Sequence, residues 1–363
     1  MYTEILQSKL LHLPITQNGN SFKESVQDLL LLYLDEIKKL DDGPLAITDL
    51  PHIEGEYVKS VQTKFIQGLL DTIDVYHDGQ PAKAFERLSE TLINDLKNFR
   101  EVLKIREYQV DESFFRMRII KGNFPLPPIE MFHIPFEKRG YIKTQRYSIP
   151  GFPCLYLGRT IYGCWEEMSR PDTNEFQVAR LKNLQPINFL DLTHPHDWEN
   201  LYAKDLYHYF MTWPLIACCS VKVKDYSLAF KSEYIIPQLL LQWIREQQQL
   251  DGIKFDSTHI DFHKSNSKGD FSNLVLPVKE NKPAGHCSKL AAMFEITEPI
   301  SWQMHESAIG GQNFSGTFED SEIGVNKRIQ ELELIKGRAY PYSYSILGKL
   351  ESYLDGMPTS RIN

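Results

Sequence analysis

The sequence has few cysteines, no long apolar run and no excess of basic residues. It holds five cysteines, of which only Cys218 and Cys219 are neighbours, and it has no Cys-x-x-Cys pair. This excludes a disulfide scaffold and indicates reduced thiols packed as small hydrophobic side chains, as in a cytoplasmic protein. No run of about 18 uncharged apolar residues exists, so we expect no membrane span. The first ten residues carry Glu4 and no apolar core, so we expect no signal peptide.

Charge and composition exclude several further classes of protein. Residues 1–110 hold 18 Asp and Glu against 12 Lys and Arg, whereas the remaining residues hold 30 against 28. This balance does not favour non-specific nucleic-acid binding, so we expect no nucleic-acid partner. The absence of a Gly-rich phosphate loop argues against a dehydrogenase or a kinase. With 42% hydrophobic residues over 363 positions, the chain can fill two or three domains, which excludes disorder.

The first 110 residues have helical periodicity throughout. Ser21 is placed to cap a helix whose apolar residues recur from Phe22 to Leu40 at spacings of three and four. A second helix is predicted over about 56–76, and Pro81 is predicted to open a third that runs to about residue 104. We therefore expect a helical domain over 1–109 with a role in regulation or oligomerisation.

From residue 111 onwards, strand-like segments alternate with turns rich in Pro and Gly. Strands are predicted over 113–120, 154–157, 175–180, 187–192, 216–223, 252–255, 273–277 and 292–296. Helices are predicted over 160–169, 237–247, 325–336 and 347–354, and a loop over 310–322. The fold class is therefore α+β, with a helical N-terminal domain, a domain over 110–305 built on a mixed twisted sheet, and an extension over 306–363 that packs on the body.

The predicted helix after Thr160 separates two adjacent glutamates. At 100° per residue, its apolar face comprises Ile161, Cys164, Trp165 and Met168. Glu166 is predicted to lie on the opposite side, in solvent, and Glu167 to lie at the edge of the apolar face, where Gly163 leaves space. A carboxylate in that place is suited to catalysis, and a solvated surface acid is the alternative that the pattern leaves open.

A series of motifs follows in an order that resembles the RES domain family. The motifs are Arg-Tyr-Ser-x-Pro-Gly-x-Pro-x-Leu-Tyr-Leu over 146–157, the helix with Glu167, Tyr234-x-x-x-Gln238, Asp-Gly-Ile-x-Phe-x-Ser over 251–257, and Asn273-Leu-Val-Leu. The resemblance spans roughly 112–300. It implies a fold similar to that of ADP-ribosyltransferases and an enzyme that cleaves the nicotinamide–ribose bond of NAD by phosphorolysis or hydrolysis. Such an enzyme is expected to act as a toxin or phage-defence effector that depletes NAD.

The resemblance also implies roles for individual residues. The implied catalytic residues are Arg146, Tyr156, Glu167 and Ser257, and the implied substrate-binding residues are Arg116, Tyr147, Tyr234 and Gln238. An arginine binds a diphosphate as a bidentate fork, and a tyrosine stacks on a nicotinamide ring. A carboxylate stabilises the oxocarbenium-like state of the ribose. Structural roles stay open as alternatives: an ion pair for Arg146 or Arg116, a core position for Tyr156, and a turn cap for Ser257.

Ligands and partners follow from the same resemblance. NAD is the expected substrate, with inorganic phosphate as a co-substrate in the case of phosphorolysis, and no cofactor or metal is needed. We expect a cytoplasmic protein with an antitoxin or regulatory partner and a tendency to form homo-oligomers. ADP-ribosyl transfer to a protein or nucleic acid, and an inactive module that binds a nucleotide, are the alternatives.

Two weaker patterns complete the sequence. The helical N-terminal region resembles the HEPN-related extensions of some RES proteins, but none of its arginines is followed by histidine four to six residues later, so we expect it to be non-catalytic. The strings His194-Pro-His-Asp197 and His259-x-Asp-x-His263 have metal-ligand spacing, but a turn and a plain strand explain them better, and no metal is expected.

Overall fold

A computed structural model describes residues 5–6, 8, 11–17, 21–43, 53–96, 102–120, 124–195, 202–260, 268–309 and 328–362. Contacts divide the chain into two compact units. The first comprises Met1–Arg106, Lys143–Pro150 and Leu190–Ile253, and the second comprises Glu107–Ile142, Gly151–Phe189 and Lys254–Asn363. This division groups 143–150 and 190–253 with the N-terminal helices, whereas the sequence suggests one continuous domain over 110–305. The boundaries drawn from the sequence stay a prediction.

The secondary structure follows the chain in this order. The helices are α1 Phe22–Lys38, α2 Gly55–His77, α3 Pro81–Glu90, α4 Ile161–Glu167, α5 Ala203–Cys219, α6 Ile235–Glu246, α7 Ser288–Ala291, α8 Trp302–Ile309 and α9 Ile346–Gly356. The strands are β1 Ile105–Tyr108, β2 Ser113–Ile119, β3 Cys154–Gly158, β4 Phe176–Asn183, β5 Ile187–Asp191, β6 Gly252–Asp256, β7 Lys268–Gly269, β8 Ser272–Pro277, β9 Phe294–Ile296, β10 Ile329–Ile335, β11 Arg338–Pro341 and β12 Ser360–Arg361. The α+β class with a helical N-terminal part is confirmed.

The N-terminal helices begin as their sequences predict. Ser21 accepts a hydrogen bond from the Glu24 amide, and the Glu24 carboxylate accepts one from the Ser21 amide, which makes a full capping box for α1. The third helix is shorter than predicted, since α3 ends at Glu90 and a π-helical turn follows over Thr91–Asp95. The prediction of helical structure throughout the first 110 residues is wrong at its end, because β1 lies there.

The strand predicted over 216–223 is wrong, because residues up to Cys219 continue α5. This helix is apolar nearly all round and buried from Tyr207 onwards, so it lacks the one-sided periodicity of a surface helix. Pro214 lies inside it and has no amide hydrogen for the Phe210 carbonyl. The Tyr33 hydroxyl of α1 donates to that carbonyl at 2.5 Å, and Gln62 Nε2 of α2 donates to the next one, Met211, at 2.8 Å.

Nine of the described strands build a mixed sheet, and β7, β10 and β11 build a separate small one. Among the described residues the order of strands in the mixed sheet is β1-β5-β6-β8-β3-β2-β4-β9-β12. Strand β2 pairs antiparallel with β4 from Ser113 opposite Lys182 to Ile119 opposite Phe176, and β3 pairs antiparallel with β8. Neighbouring residues of one strand, such as Phe114 and Phe115, belong to separate core clusters, so both faces of the sheet are covered.

The helix predicted over 325–336 is wrong, because its described residues form β10. This strand pairs with β11 on one side and with β7 on the other. Its residues are good helix formers, but the Gly337 turn (φ 81°) reverses the chain into a hairpin, and strand pairing overrides the local preference. The helix predicted over 347–354 is confirmed as α9, whereas the loop predicted over 310–322 lies outside the described residues.

No helix in the described ranges is both long and apolar enough to cross a membrane. All five cysteines are free and buried, as the sequence predicts. Burial raises the pKa of the Cys164 and Cys219 thiols to about 12, so both stay protonated near neutral pH.

Candidate active site

Glu167 is the last residue of α4 and lies among polar side chains from two other segments. The Ser257 hydroxyl donates to Glu167 Oε2 at 2.7 Å, and Asn273 Nδ2 donates to the same oxygen at 3.1 Å. The other oxygen, Oε1, has no hydrogen-bond partner within the described part of the chain. Glu167 is exposed, while Ser257 is 1% and Asn273 5% exposed. The carboxylate is therefore held through one oxygen by two buried donors.

The sheet explains why these three residues meet. Strand β3 leads into α4 through Gly158, Arg159 and Thr160, and the Thr160 hydroxyl caps the helix by accepting from the Gly163 amide at 3.0 Å. Asn273 lies opposite Gly158 in the β3–β8 pairing, next to the start of that turn. Ser257 directly follows β6, which is the neighbour of β8 in the sheet. The ends of β3 and β6, the beginning of β8 and the helix α4 thus bring Glu167, Ser257 and Asn273 together.

The predicted exposure of Glu166 is wrong. Its side chain is 4% exposed and makes two hydrogen bonds, of 2.8 and 2.9 Å, with the Arg170 guanidinium. After α4 the backbone turns left-handed at Ser169 (φ 62°) and Arg170 (φ 56°), a conformation in which residues other than glycine are strained. The ion pair spans this turn, so Glu166 has a structural role. The predicted apolar face is confirmed, since Ile161 and Cys164 are buried in the core and Trp165 and Met168 pack against it.

Arg116 and Tyr156 lie on neighbouring strands. Arg116 Nη1 of β2 donates to the Tyr156 carbonyl of β3 at 2.7 Å, while the Tyr156 side chain is half-buried. Arg116 Nε is buried without a hydrogen-bond partner among the described residues, and none of the ion pairs among them involves this guanidinium. Burial and the charge of Arg118 lower the pKa of Arg116 to about 10, so it stays charged. A desolvated cation with unused donors is suited to binding an anion.

The remaining predicted residues lie together in the first unit. Arg146 Nη1 donates to the Cys219 carbonyl at the end of α5, at 3.1 Å, and the guanidinium lies 5.3 Å from the centre of the Tyr234 ring. This distance is typical of a cation–π contact. Arg146 is half-buried, and Tyr234 is 8% exposed. The helix terminus and the ring thus fix the side chain from two sides.

Gln238 holds the loop that carries Arg146. Its Nε2 donates to Thr144 Oγ1 at 2.9 Å and to the carbonyls of Gln145 and Ser148 at 3.0 and 3.1 Å. The loop also closes on itself through backbone hydrogen bonds between Gln145 and Ser148. Tyr147 is only 1% exposed and is directed into the core. In this structure Gln238 and Tyr147 hold the loop that carries Arg146.

The contacts therefore gather the predicted residues into three sets, two in the second unit and one in the first. Glu167 and Ser257 form one contact set and Arg116 and Tyr156 another, all in the second unit, while the loop of Arg146 with Tyr234 and Gln238 belongs to the first. Sequence reasoning missed Asn273 as a functional side chain. Its signal is a polar residue directly before the apolar run Leu-Val-Leu, within a strand that is buried throughout.

The described residues show no candidate metal site. Within them, no three His, Cys, Asp or Glu side chains are grouped so that they could hold a metal ion. The alternatives drawn from the sequence depend on His196, Asp197, Asp261 and His263, which lie outside the described residues.

A curated protein of Bacillus subtilis (strain 168), named "Putative toxin YopC", is 31% identical to this chain over 363 positions. The alignment covers 94% of this chain and 78% of that protein. No protein-family model matches the chain. No solved structure matches it either.

Proposed function

This chain belongs to the same family as "Putative toxin YopC", and from that premise we propose that it is a toxin which consumes NAD through a RES-type active site. The observation that carries the proposal is the contact of Glu167 with Ser257, at 2.7 Å. These residues are the glutamate and the serine of the resemblance, and they are 90 positions apart in the chain. Asn273, the first residue of the last shared motif, donates to the same carboxylate oxygen.

The proposed reaction breaks the bond between the nicotinamide nitrogen and the ribose. The bonding electrons leave with nicotinamide, which becomes neutral, and positive charge develops on the ribose ring. Glu167 stabilises this charge, with Oε2 fixed by its two donors and Oε1 directed at the ribose or its hydroxyl. An oxygen of phosphate or water then bonds to the ribose carbon and loses its proton to the solvent. The products are nicotinamide and phosphorylated or free ADP-ribose.

The arginines and tyrosines are suited to holding the dinucleotide. Arg116 has unused donors in a desolvated place, and a diphosphate supplies the anionic oxygens that such donors need. Arg146, which the Cys219 carbonyl and the Tyr234 ring fix in the first unit, is proposed as a diphosphate-binding cation from the resemblance alone. The half-buried Tyr156 offers a ring face for nicotinamide. NAD is a substrate here, and the chemistry uses neither a cofactor nor a metal ion.

The biological setting is proposed on the same basis. A chain of this family that depletes NAD would act on the cytoplasmic NAD pool as a toxin or phage-defence effector. A cell that produces it needs a means of restraint, so we include an antitoxin or regulatory protein, and assembly into homo-oligomers, in the proposal.

The test is nicotinamide release from NAD by the purified protein, with and without phosphate. Glu167→Gln keeps the size of the side chain but removes its charge, and we expect release to fall by roughly 100-fold or more. Glu175→Gln is the matched control, because Glu175 is an exposed glutamate that takes no part in the site, and it should keep the wild-type rate.

Each outcome has a separate meaning. Release that requires phosphate identifies a phosphorylase, and release without phosphate identifies a glycohydrolase. Release only after a protein or nucleic acid is added would favour ADP-ribosyl transfer. No release under any of these conditions, or equal rates for both glutamine variants, would contradict the proposal.

A further inference from the structure

The short helix that carries Glu167 is capped from a distant part of the chain. Helix α4 has only seven residues, and a helix of that length is not stable by itself in water. Its first amide groups have no partner inside the helix. The Ile161 amide donates to Glu351 Oε2 at 2.9 Å, and the Tyr162 amide donates to the Tyr342 hydroxyl at 3.3 Å. Both acceptors lie about 180 residues further along the sequence.

Glu351 is a buried carboxylate with every oxygen in use. It lies on α9, is 0% exposed, and accepts from the Tyr342 hydroxyl at 2.9 Å as well as from Ile161. Its other oxygen accepts from Arg328 Nη1 at 3.0 Å. Burial, together with the charge of Glu351, raises the pKa of Tyr342 well above its usual range, so the phenol stays protonated and can donate.

This arrangement does more than fill space. A negative charge at the beginning of a helix is favourable, because the first amide groups and the helix dipole point at it. Glu351 and Tyr342 thereby fix the beginning of α4, and Glu167 lies at the end of the same short helix. A shift of α4 would move Glu167 Oε2 away from Ser257 and Asn273.

We propose that Glu351, together with Tyr342, is a positioning residue for catalysis: it caps α4 from the C-terminal segment and so sets the orientation of Glu167. This inference rests on the proposed function for its catalytic meaning. It extends the functional part of the chain beyond the RES-like region, which ends near residue 300. Glu351 itself does not touch the substrate.

The experiment compares two substitutions with a matched control. Glu351→Gln keeps the shape but removes the charge, and Tyr342→Phe removes only the hydroxyl. Asp355→Asn is the control, because Asp355 lies on the same helix and also pairs with Arg328, at 3.0 Å, but has no hydrogen bond to α4 among the described contacts. Two quantities are measured for each protein: kcat and KM for NAD, and amide hydrogen exchange over residues 160–168.

We expect Glu351→Gln to lower kcat about tenfold, to leave KM within about twofold, and to speed exchange at the start of α4 about tenfold. Tyr342→Phe should also lower kcat and speed exchange while KM stays unchanged, but by smaller factors. If Glu351→Gln does not fold, Tyr342→Phe alone tests the proposal. Asp355→Asn should match the wild type in both measurements.

Three results would overturn the proposal: exchange over 160–168 that is unchanged in both variants, a rise in KM with kcat intact, or an equal effect of Asp355→Asn. A wild-type protein that releases no nicotinamide would refute the proposed function instead. In that case the exchange data alone decide whether Glu351 and Tyr342 hold α4.

Discussion

One oxygen of Glu167 accepts two hydrogen bonds, from Ser257 and Asn273. Because both donors act on the same oxygen, their substitutions have predictable effects on the kinetics. Ser257→Ala or Asn273→Ala leaves a single donor, so the carboxylate can rotate, and we expect kcat for NAD cleavage to fall about tenfold in each variant. The double variant should lose less than the product of the two effects, because both donors act on the same oxygen.

Steady-state kinetics of the four proteins, compared at a temperature at which all are folded, measure this coupling. Strict multiplication of the two losses would mean that the residues act separately. A rise in KM at constant kcat would mean that they contact the substrate and not Glu167.

A second residue-scale prediction concerns His133, which is 1% exposed. Its Nε2 accepts from the Cys287 amide at 2.8 Å, so Nδ1 carries the proton and donates to the Ile134 carbonyl at 2.8 Å. Burial is the main cause that lowers the pKa of His133 from 6.5 to about 4. A proton on Nε2 would also face the hydrogen of the Cys287 amide.

The folded pKa of His133 lies below the unfolded one, so this group stabilises the protein fully above pH 6.5 and loses that contribution as the pH falls towards 4. We expect the free energy of unfolding to change less steeply with pH in His133→Gln than in the wild type, by up to about 1.4 kcal/mol per pH unit in this window. Denaturant titrations at several pH values measure the slopes. The pKa of His208 is also lowered, but His208 remains in both proteins and its contribution cancels in the comparison. The pKa of His286 depends in part on His133, so the slopes are compared in a His286→Gln background. Identical slopes would contradict the assignment.

The identity of the candidate site residues could be predicted from the sequence better than their surroundings. The spacing of Arg146, Tyr156, Glu167 and Ser257 could be recognised in the sequence, and the structure brings two of these, Glu167 and Ser257, into contact. The burial of Glu166 could not be predicted, because it depends on a left-handed turn and on an ion pair with Arg170. Glu351 carried no sequence signal, since the amide that donates to it, that of Ile161, is 190 positions away.

At the scale of elements, the helix α5 around Pro214 is stabilised by a donor from α1. Tyr33→Phe removes the hydrogen bond that the hydroxyl donates to the buried Phe210 carbonyl, and we expect a loss of about 1–3 kcal/mol in the free energy of unfolding. In a Pro214→Ala background, the amide of residue 214 can reach the same carbonyl, so Tyr33→Phe should cost less there.

Chemical denaturation of the two single variants and the double variant measures the coupling energy. Tyr340→Phe, at an exposed tyrosine, is the control and should leave the stability unchanged. Equal costs of Tyr33→Phe in the two backgrounds would show that the hydroxyl acts elsewhere.

Elements with one-sided periodicity could be predicted, and those shaped by long-range partners could not. Helix α1 combines a capping box with an apolar stripe, and both are local signals. Helix α5 is apolar on every side, so its last turn cannot be distinguished from a buried strand by periodicity. Strand β10 has the composition of a helix, and only its pairing with β11 and β7 makes it extended.

At the scale of the whole molecule, the N-terminal helices share one unit with α5, α6 and the Arg146 loop. Removal of residues 1–109 takes away the donors to the Phe210 and Met211 carbonyls and uncovers the apolar surface of α5. We therefore expect the shortened protein to lose its cooperative thermal transition and its NAD cleavage together. Thermal unfolding and nicotinamide release measure both. A shortened protein that melts cooperatively and keeps its rate would mean that these helices only regulate or assemble the enzyme.

The order of residues along the chain has a consequence for the timing of activity during translation. Glu167 leaves the ribosome long before Ser257 and Asn273, which fix its carboxylate, and longer still before Glu351, which caps its helix. A nascent or prematurely terminated chain therefore carries the glutamate without the groups that orient it. Under the proposed function, the cell that synthesises this protein meets a competent site only after residue 351 has been added, which leaves time for the proposed antitoxin or regulatory protein to bind first.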